Sequence, residues 1–360
     1  VKALVRWVAA LAAVCLALSA SLSAHPVPFS YLDVHVTRDA IDATLVIHIF
    51  DLGHDLGIEP ADRLLDPALA RTEMAAIAAL AGSRLTITAD GRVLAGSWSD
   101  PEVLTDRQSI RIHWRDPLDR QAGVIAIEGR LFPYDPQHQT FINVYEIGLS
   151  AQAMIDRSHS RFEYFTGSRQ GTLAVVGRFL PSGIHHILIG PDHVLFLVGL
   201  LLTGGSVRRL ALIVTGFTVA HSLTLSLAAL NLVTPPARLI EPAIALSIVI
   251  VGADNLMAHE GRDLRAWFAF GFGFVHGFGF ANVLREMSLP ARALGWSLLS
   301  FNVGVEIGQL LVVAVVAAAL AAVRSRSESA ARRVAFVGSV GVIAAGAYWF
   351  LQRMMFPGGS

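Results

Sequence analysis

Three patterns of apolar and polar positions follow one another along the chain. Residues 1–24 open on a basic end (Lys2, Arg6), run through apolar Trp7 to Leu18 and close on small residues up to Ala24. That order predicts a secretory signal peptide, cleaved after Ala24. From residue 25 to about 178 the period shortens to two. Alternating runs occur at Tyr31–Val36, Ala43–Phe50, Arg84–Ala89, Ser109–Trp114, Gly123–Leu131, Thr140–Leu149 and Thr172–Phe179. Turn sequences such as Ala89-Asp90-Gly91 and Pro133-Tyr134-Asp135-Pro136 separate them. Short strands at this spacing predict a β-sandwich, interrupted by one helix over Pro67–Ala81. From residue 179 to 360 six apolar runs follow, at about 184–203, 209–231, 240–258, 264–285, 294–322 and 333–352. Each approaches or exceeds the ~20 residues of a bilayer-crossing helix. The predicted fold class is an α-helical polytopic membrane protein with six transmembrane helices, preceded by an exported, mainly β, sandwich-like domain over residues 25–178.

Composition agrees with this division and narrows the chemistry. Hydrophobic residues make up 54% and charged residues 16%, a membrane-protein balance. The formal net charge is +0, so no nucleic-acid partner is expected. The single cysteine, Cys15, falls in the leader, which removes disulfides and thiolate metal sites from the remainder. Metal chemistry therefore falls to His, Asp, Glu or backbone oxygens. With the β domain exported, the first, third and fifth loops are cytoplasmic. They carry Arg208, Arg209, Arg262, Arg265, Arg324, Arg326, Arg332 and Arg333, against Arg238, Arg285, Arg292 and Arg353 on the other side. This bias follows the positive-inside rule. It predicts a bacterial inner (plasma) membrane protein whose N-terminal domain and C-terminus are periplasmic.

Ionisable residues inside apolar spans are costly and mark functional paths. The first span opens Gly183-Ile184-His185-His186-Ile187-Leu188-Ile189-Gly190-Pro191-Asp192-His193. On a continuous helix His186 and His193 share a face but stand about 10 Å apart along the axis. Pro191 removes a backbone hydrogen bond and Gly190 relaxes the chain beside it, so a kink is expected. Such a kink with imidazoles and a carboxylate is chemically a cation site; a polar knot that joins helices is the alternative. The second span adds Thr218, His221 and Ser222, and the fourth adds His276 beside Gly273 and Gly277, a GxxxG step that favours close helix approach. In the fifth, Asn302, Glu306 and Gln309 are spaced four and three, one stripe on one face. Candidate metal residues are His186, Asp192, His193, His221, His276 and Glu306, with His185, Ser222, Asn302 and Gln309 as supporting polar groups. The histidines of the β region form no convincing ligand spacing. His25 stands apart only because cleavage would set an amine beside it.

His186-x5-Asp192-His193 with Gly190, then His276-Gly277, then Phe301-Asn302-x-Gly304-x-Glu306-x-Gly308-Gln309, resembles the HupE/UreJ family of nickel/cobalt permeases. The order of motifs is similar to the longer members that carry an exported N-terminal domain. In the short members proline follows the first histidine of the motif; here Ile187 does, and the proline is Pro191. The resemblance covers roughly residues 183–310. It implies metal uptake connected with metalloenzymes such as hydrogenase or urease.

Imidazole and carboxylate together suit nickel, cobalt or zinc, as substrate or bound ion. The leading expectation is a permease for a divalent transition metal. A membrane-embedded metal-dependent hydrolase would use the same residues, although His259-Glu260 lacks the second histidine of HExxH. A third reading has the β domain bind a periplasmic protein partner while the spans anchor it in the lipid bilayer.

Overall fold

A computed structural model describes residues 29–257, 263–279, 289 and 291–356. The expected leader with Cys15, the Ala24-His25 start, His259-Glu260, Arg262 and Arg285 lie outside the described residues.

In chain order, β1 (Phe29–Val36) and β2 (Ala40–His48) lead into α1 (Ile49–Leu56), α2 (Pro67–Thr72) and α3 (Met74–Arg84). Then come β3 (Leu85–Ala89), β4 (Arg92–Val93), β5 (Ser97–Trp98), β6 (Glu102–Leu104) and β7 (Ser109–Pro117). β8 (Val124–Gly129), β9 (Gln139–Tyr145), β10 (Leu149–Ile155) and β11 (Arg161–Phe165) complete the β region. One sheet has the order β10-β9-β1-β2-β7-β5, with β6 also on β7; the other runs β11-β8-β3-β4. Pairing is antiparallel except between β1 and β9. The alternation becomes register: Leu32 faces Leu45, Leu45 faces Ile112, and Ile87 faces Ile127. Inward residues of both sheets join α1, α2 and α3 in one hydrophobic core. The Asp90-Gly91 turn has both residues at positive φ, and Asp90 accepts hydrogen bonds from the Gly123 and Val124 amides.

Three expected strands end differently: Thr140–Leu149 stops at Tyr145, and Leu149 already belongs to β10. Ala43–Phe50 stops at His48, whose Nδ1 accepts from the Phe50 amide and caps α1. Thr172–Phe179 is helical, inside α4 (Arg169–Ile189). Its buried residues Gly171, Val175, Phe179, Gly183 and Ile187 recur every four positions. A spacing of four satisfies a helical face and an even alternation alike, which is why the sequence pattern misleads there. Ser168 caps this helix through the Gly171 amide, and Thr166 ties the linker back to the Ala122 carbonyl.

The helical half continues with α5 (Pro191–Leu201), α6 (Val207–Ala229), α7 (Ala237–Leu256), α8 (Arg265–Gly277), α9 (Ala291–Arg326) and α10 (Glu328–Met355). Among the described residues five helices, α4, α6, α7, α9 and α10, are long and apolar enough to cross a membrane; α5 is a shorter apolar helix. The expected first span, 184–203, is divided between the end of α4 and α5. α8 accounts for the first part of the fourth span, 264–285, and residues 280–285 lie outside the described residues. α9 has 36 residues, about 54 Å at 1.5 Å per residue, well beyond the ~30 Å hydrocarbon core. Large apolar side chains such as Leu212, Trp267, Val315, Val337 and Tyr348 point outward. A bundle apolar on its outside suits lipid rather than water.

Arg265 fixes α8 against the end of α5. It donates to the Leu200 and Gly204 carbonyls and grips Asp263, whose carboxyl is held down to about 2 chiefly by those Arg265 hydrogen bonds.

Candidate metal centre

The centre is built where α4 gives way to α5. Pro191 occupies the first turn of a new helix, a position that suits its fixed φ and missing N–H. Gly190 serves as the C-cap of α4 and the N-cap of α5, so the expected kink is a complete break. The break cancels the axial separation of a continuous helix. His186 and His193 come to 4.5 Å between ring centroids.

α6 and α8 supply the other imidazoles. Gly273 and Gly277 allow these two helices to touch by backbone: an added Cβ at Gly277 would meet Thr224 Oγ1 at 2.0 Å and the His221 carbonyl at 2.4 Å. This is the close approach predicted from GxxxG. His276 thereby lies 5.0 Å from His193, ring to ring. One ligand atom from each of His186, His193 and His221 lies within 4.8 Å of the other two. Three nitrogens that share one ion at about 2.1 Å stand about 3.4–3.6 Å apart in tetrahedral or trigonal geometry. A closure of roughly 1.3 Å from the 4.8 Å separation therefore lets the three imidazoles share one cation.

The neighbours determine which nitrogens are available. Asn302 donates through Nδ2 to the Leu298 carbonyl, turning its Oδ1 to His221 Nδ1 at 3.4 Å. A carbonyl oxygen accepts only, so His221 carries its proton on Nδ1 and leaves Nε2 as a lone pair. Ser247 Oγ donates to the Ile244 carbonyl at 2.6 Å and so accepts from His276 Nε2 at 3.0 Å. His276 is left with a lone pair on Nδ1. His193 Nε2, His221 Nε2 and His276 Nδ1 are buried without a hydrogen-bond partner among the described residues. Each such group costs about 1–3 kcal/mol. A divalent ion relieves several of them at once. The fixed tautomers are the arrangement that metal-ligating histidines use.

The carboxylates lie to either side. Glu306 accepts from Thr215 at 2.6 Å and Thr218 at 2.5 Å, and Thr218 also lies 2.9 Å from Gln309 Oε1. Asn302, Glu306 and Gln309 thus present one face to antiparallel α6, as their spacing predicted. Asp192 bonds to Arg353 instead of joining the imidazoles. His185 is exposed, and the Ser222 hydroxyl donates to the Thr218 carbonyl of its own helix. Sequence reasoning did not single out three contributors: Ser247, Thr215 and the ring of Phe217, which lies 5.3 Å from His276 and 5.8 Å from His221. Ser247 was legible as the lone polar residue of Pro242–Val251.

These features define a polytopic membrane protein with a candidate centre for a divalent transition metal. A sequence model of the HupE / UreJ protein family matches residues 164–353, more than half of the chain, and the chain belongs to that family. Membership suggests a function connected with metal transport at the membrane. No curated protein gives a match. No solved structure gives one either.

Proposed function

We propose that the protein is a permease that moves a divalent transition-metal ion, nickel- or cobalt-like, across a bacterial inner membrane. One observation carries this reading: imidazoles from α4, α5 and α6 converge to within 4.8 Å inside an apolar bundle. A fourth, His276, stands beside them. Neutral imidazoles suit nickel, cobalt and zinc, and affinity order alone does not separate these metals. In this reading the β domain is periplasmic, and the ion reaches the histidines from that side past Asp192. Glu306, Thr218 and Gln309 continue the path along α6 and α9 or carry protons in exchange.

The permease is favoured over a hydrolase because neither nearby acid is aimed at the imidazoles. Glu306 is held by two threonines and Asp192 by Arg353. A hydrolytic zinc site needs a base beside its metal-bound water.

Purified protein in proteoliposomes tests the proposal directly. The expected result is uptake of nickel or cobalt above protein-free vesicles, abolished in His193→Ala. Flux equal to that of protein-free vesicles for nickel, cobalt and zinc would overturn it.

A further inference from the structure

The charge next to the histidine centre is already occupied. Asp192 directly precedes His193 in the first turn of α5, so its carboxylate is the acid closest in sequence to a candidate ligand. Arg353, in the last turn of α10, donates through Nη2 to Asp192 Oδ2 at 2.8 Å and through Nη1 to the Glu241 carbonyl at 3.2 Å. The contact with Asp192 uses one nitrogen, not the two-pronged grip that makes arginine–carboxylate pairs tenacious. Asp192 Oδ1 is buried with no hydrogen-bond partner among the described residues, so half of its accepting capacity is unused. Both side chains retain some exposure, 17% for Arg353 and 19% for Asp192. In this same position the Arg353 guanidinium lies over the Trp349 ring of its own helix, 6.0 Å from the centroid, a contact that does not depend on Asp192.

An anion beside an apolar bundle is expensive to leave alone and is stable only with a cation. Two cations fit the description of this site: the guanidinium that is bound to Asp192, and a metal ion at the neighbouring imidazoles. The imidazoles carry no formal charge when neutral, so a dication there gains from an anion that Arg353 otherwise neutralises.

We propose that Arg353 is a tethered counter-cation: it holds Asp192 in the unloaded protein and yields it to an incoming divalent transition-metal ion. This rests on the histidine centre being a metal site. Arg353 is a positioning residue, acting through Asp192 and not by touching the ion. By thermodynamic reciprocity, the factor by which metal binding weakens the Arg353–Asp192 contact is the factor by which that contact weakens metal binding, so removing Arg353 strengthens metal binding. The guanidinium also keeps Asp192 compensated after the ion leaves, which allows the unloaded carrier to return.

The test uses full-length wild-type protein in detergent with nickel or zinc. Phenylglyoxal modification of Arg353, followed by mass spectrometry of its peptide, reads the state of the guanidinium. The expected result is modification about tenfold faster with metal than without, in the usual range of coupling between two sites. Arg353→Gln is expected to bind metal tighter by a similar factor. It should also retain metal-for-metal exchange in vesicles while losing most net uptake. Metal binding with an unchanged modification rate at Arg353 overturns the counter-cation and leaves the metal centre standing. Weaker binding in a folded Arg353→Gln does the same. No metal binding by the wild type removes both.

Discussion

In the β domain His138 sits beside an acid, whereas in the helical half His186, His193, His221 and His276 sit beside one another. His138 Nδ1 lies 3.4 Å from Asp51 Oδ2, its Nε2 is 3.2 Å from Ser30 Oγ, and Tyr134 donates to Asp51 at 2.5 Å. Burial first, and the Asp51 carboxylate second, push the Tyr134 hydroxyl above the ordinary phenol range, which keeps it a neutral donor. Tyr134 engages one oxygen of the acid and Ser30 one nitrogen of the imidazole, while His138 Nδ1 and Asp51 Oδ2 face each other without a hydrogen bond. In the bundle the neighbours of His221 and His276 fix one nitrogen of each ring and leave the other bare. His138 and Asp51 are buried, as are His193, His221 and His276, so burial alone does not mark a site. What separates them is the company each histidine keeps: a carboxylate and hydroxyls stand around His138, whereas ligand atoms of three imidazoles converge in the bundle.

The difference can be broken from either side. Removing Asp51 leaves the Tyr134 hydroxyl without its acceptor and His138 without its neighbour, and losing such a hydrogen-bond partner costs about 1–3 kcal/mol. Asp51→Ala should therefore lower the melting temperature of the β domain markedly while metal affinity of the bundle stays unchanged. A parallel loss of metal binding would show that the two regions are not independent. The converse substitutions act on binding. His193→Ala and His221→Ala should each weaken metal affinity by more than about a hundredfold, beyond the effect of losing a partner that only orients a ligand. Titration calorimetry of the folded variants checks this.

Gly277→Ala tests the approach of α6 and α8. Its methyl group would strike Thr224 and the His221 carbonyl, an overpacking cost of about 1–3 kcal/mol. Gly271→Ala is the control, because nothing lies within 4 Å of its added Cβ. Thermal unfolding in detergent should separate the two, with only Gly277→Ala also weakening metal binding. The smallest effect is expected from Asn302→Ala. It keeps every imidazole but frees the His221 tautomer, for a loss of about tenfold in affinity.

Much of this was legible in the sequence where one physical signal dominated. Period-two runs gave the strands whose inward residues form the β core, and GxxxG announced a close helix approach, whose partner only the fold shows to be α6. The helical stripe Asn302, Glu306 and Gln309 was readable from spacing alone. Other features depend on partners that no local pattern names. Pro191 signalled a disturbance, but whether a helix bends or stops depends on the neighbours that receive each half. Asp192 looked like a companion of His193, and only the fold brings Arg353 to it from 161 positions away. Ser247 stood out as the one polar residue of an aliphatic run, but a serine there can bond to its own helix, so nothing local pointed to His276. The strand expected over Thr172–Phe179 failed because a four-residue repeat fits two periods.

Metal content with local structure at the metal is the most direct test of the histidine centre. Protein purified without metal, loaded with nickel or zinc and freed of excess, is measured by elemental analysis and X-ray absorption. The account predicts about one ion per chain, bound by at least three imidazole nitrogens at about 2.0–2.1 Å, with binding lost in His193→Ala. Metal-free protein after loading, or an ion bound as tightly in His193→Ala and His221→Ala as in the wild type, would contradict it.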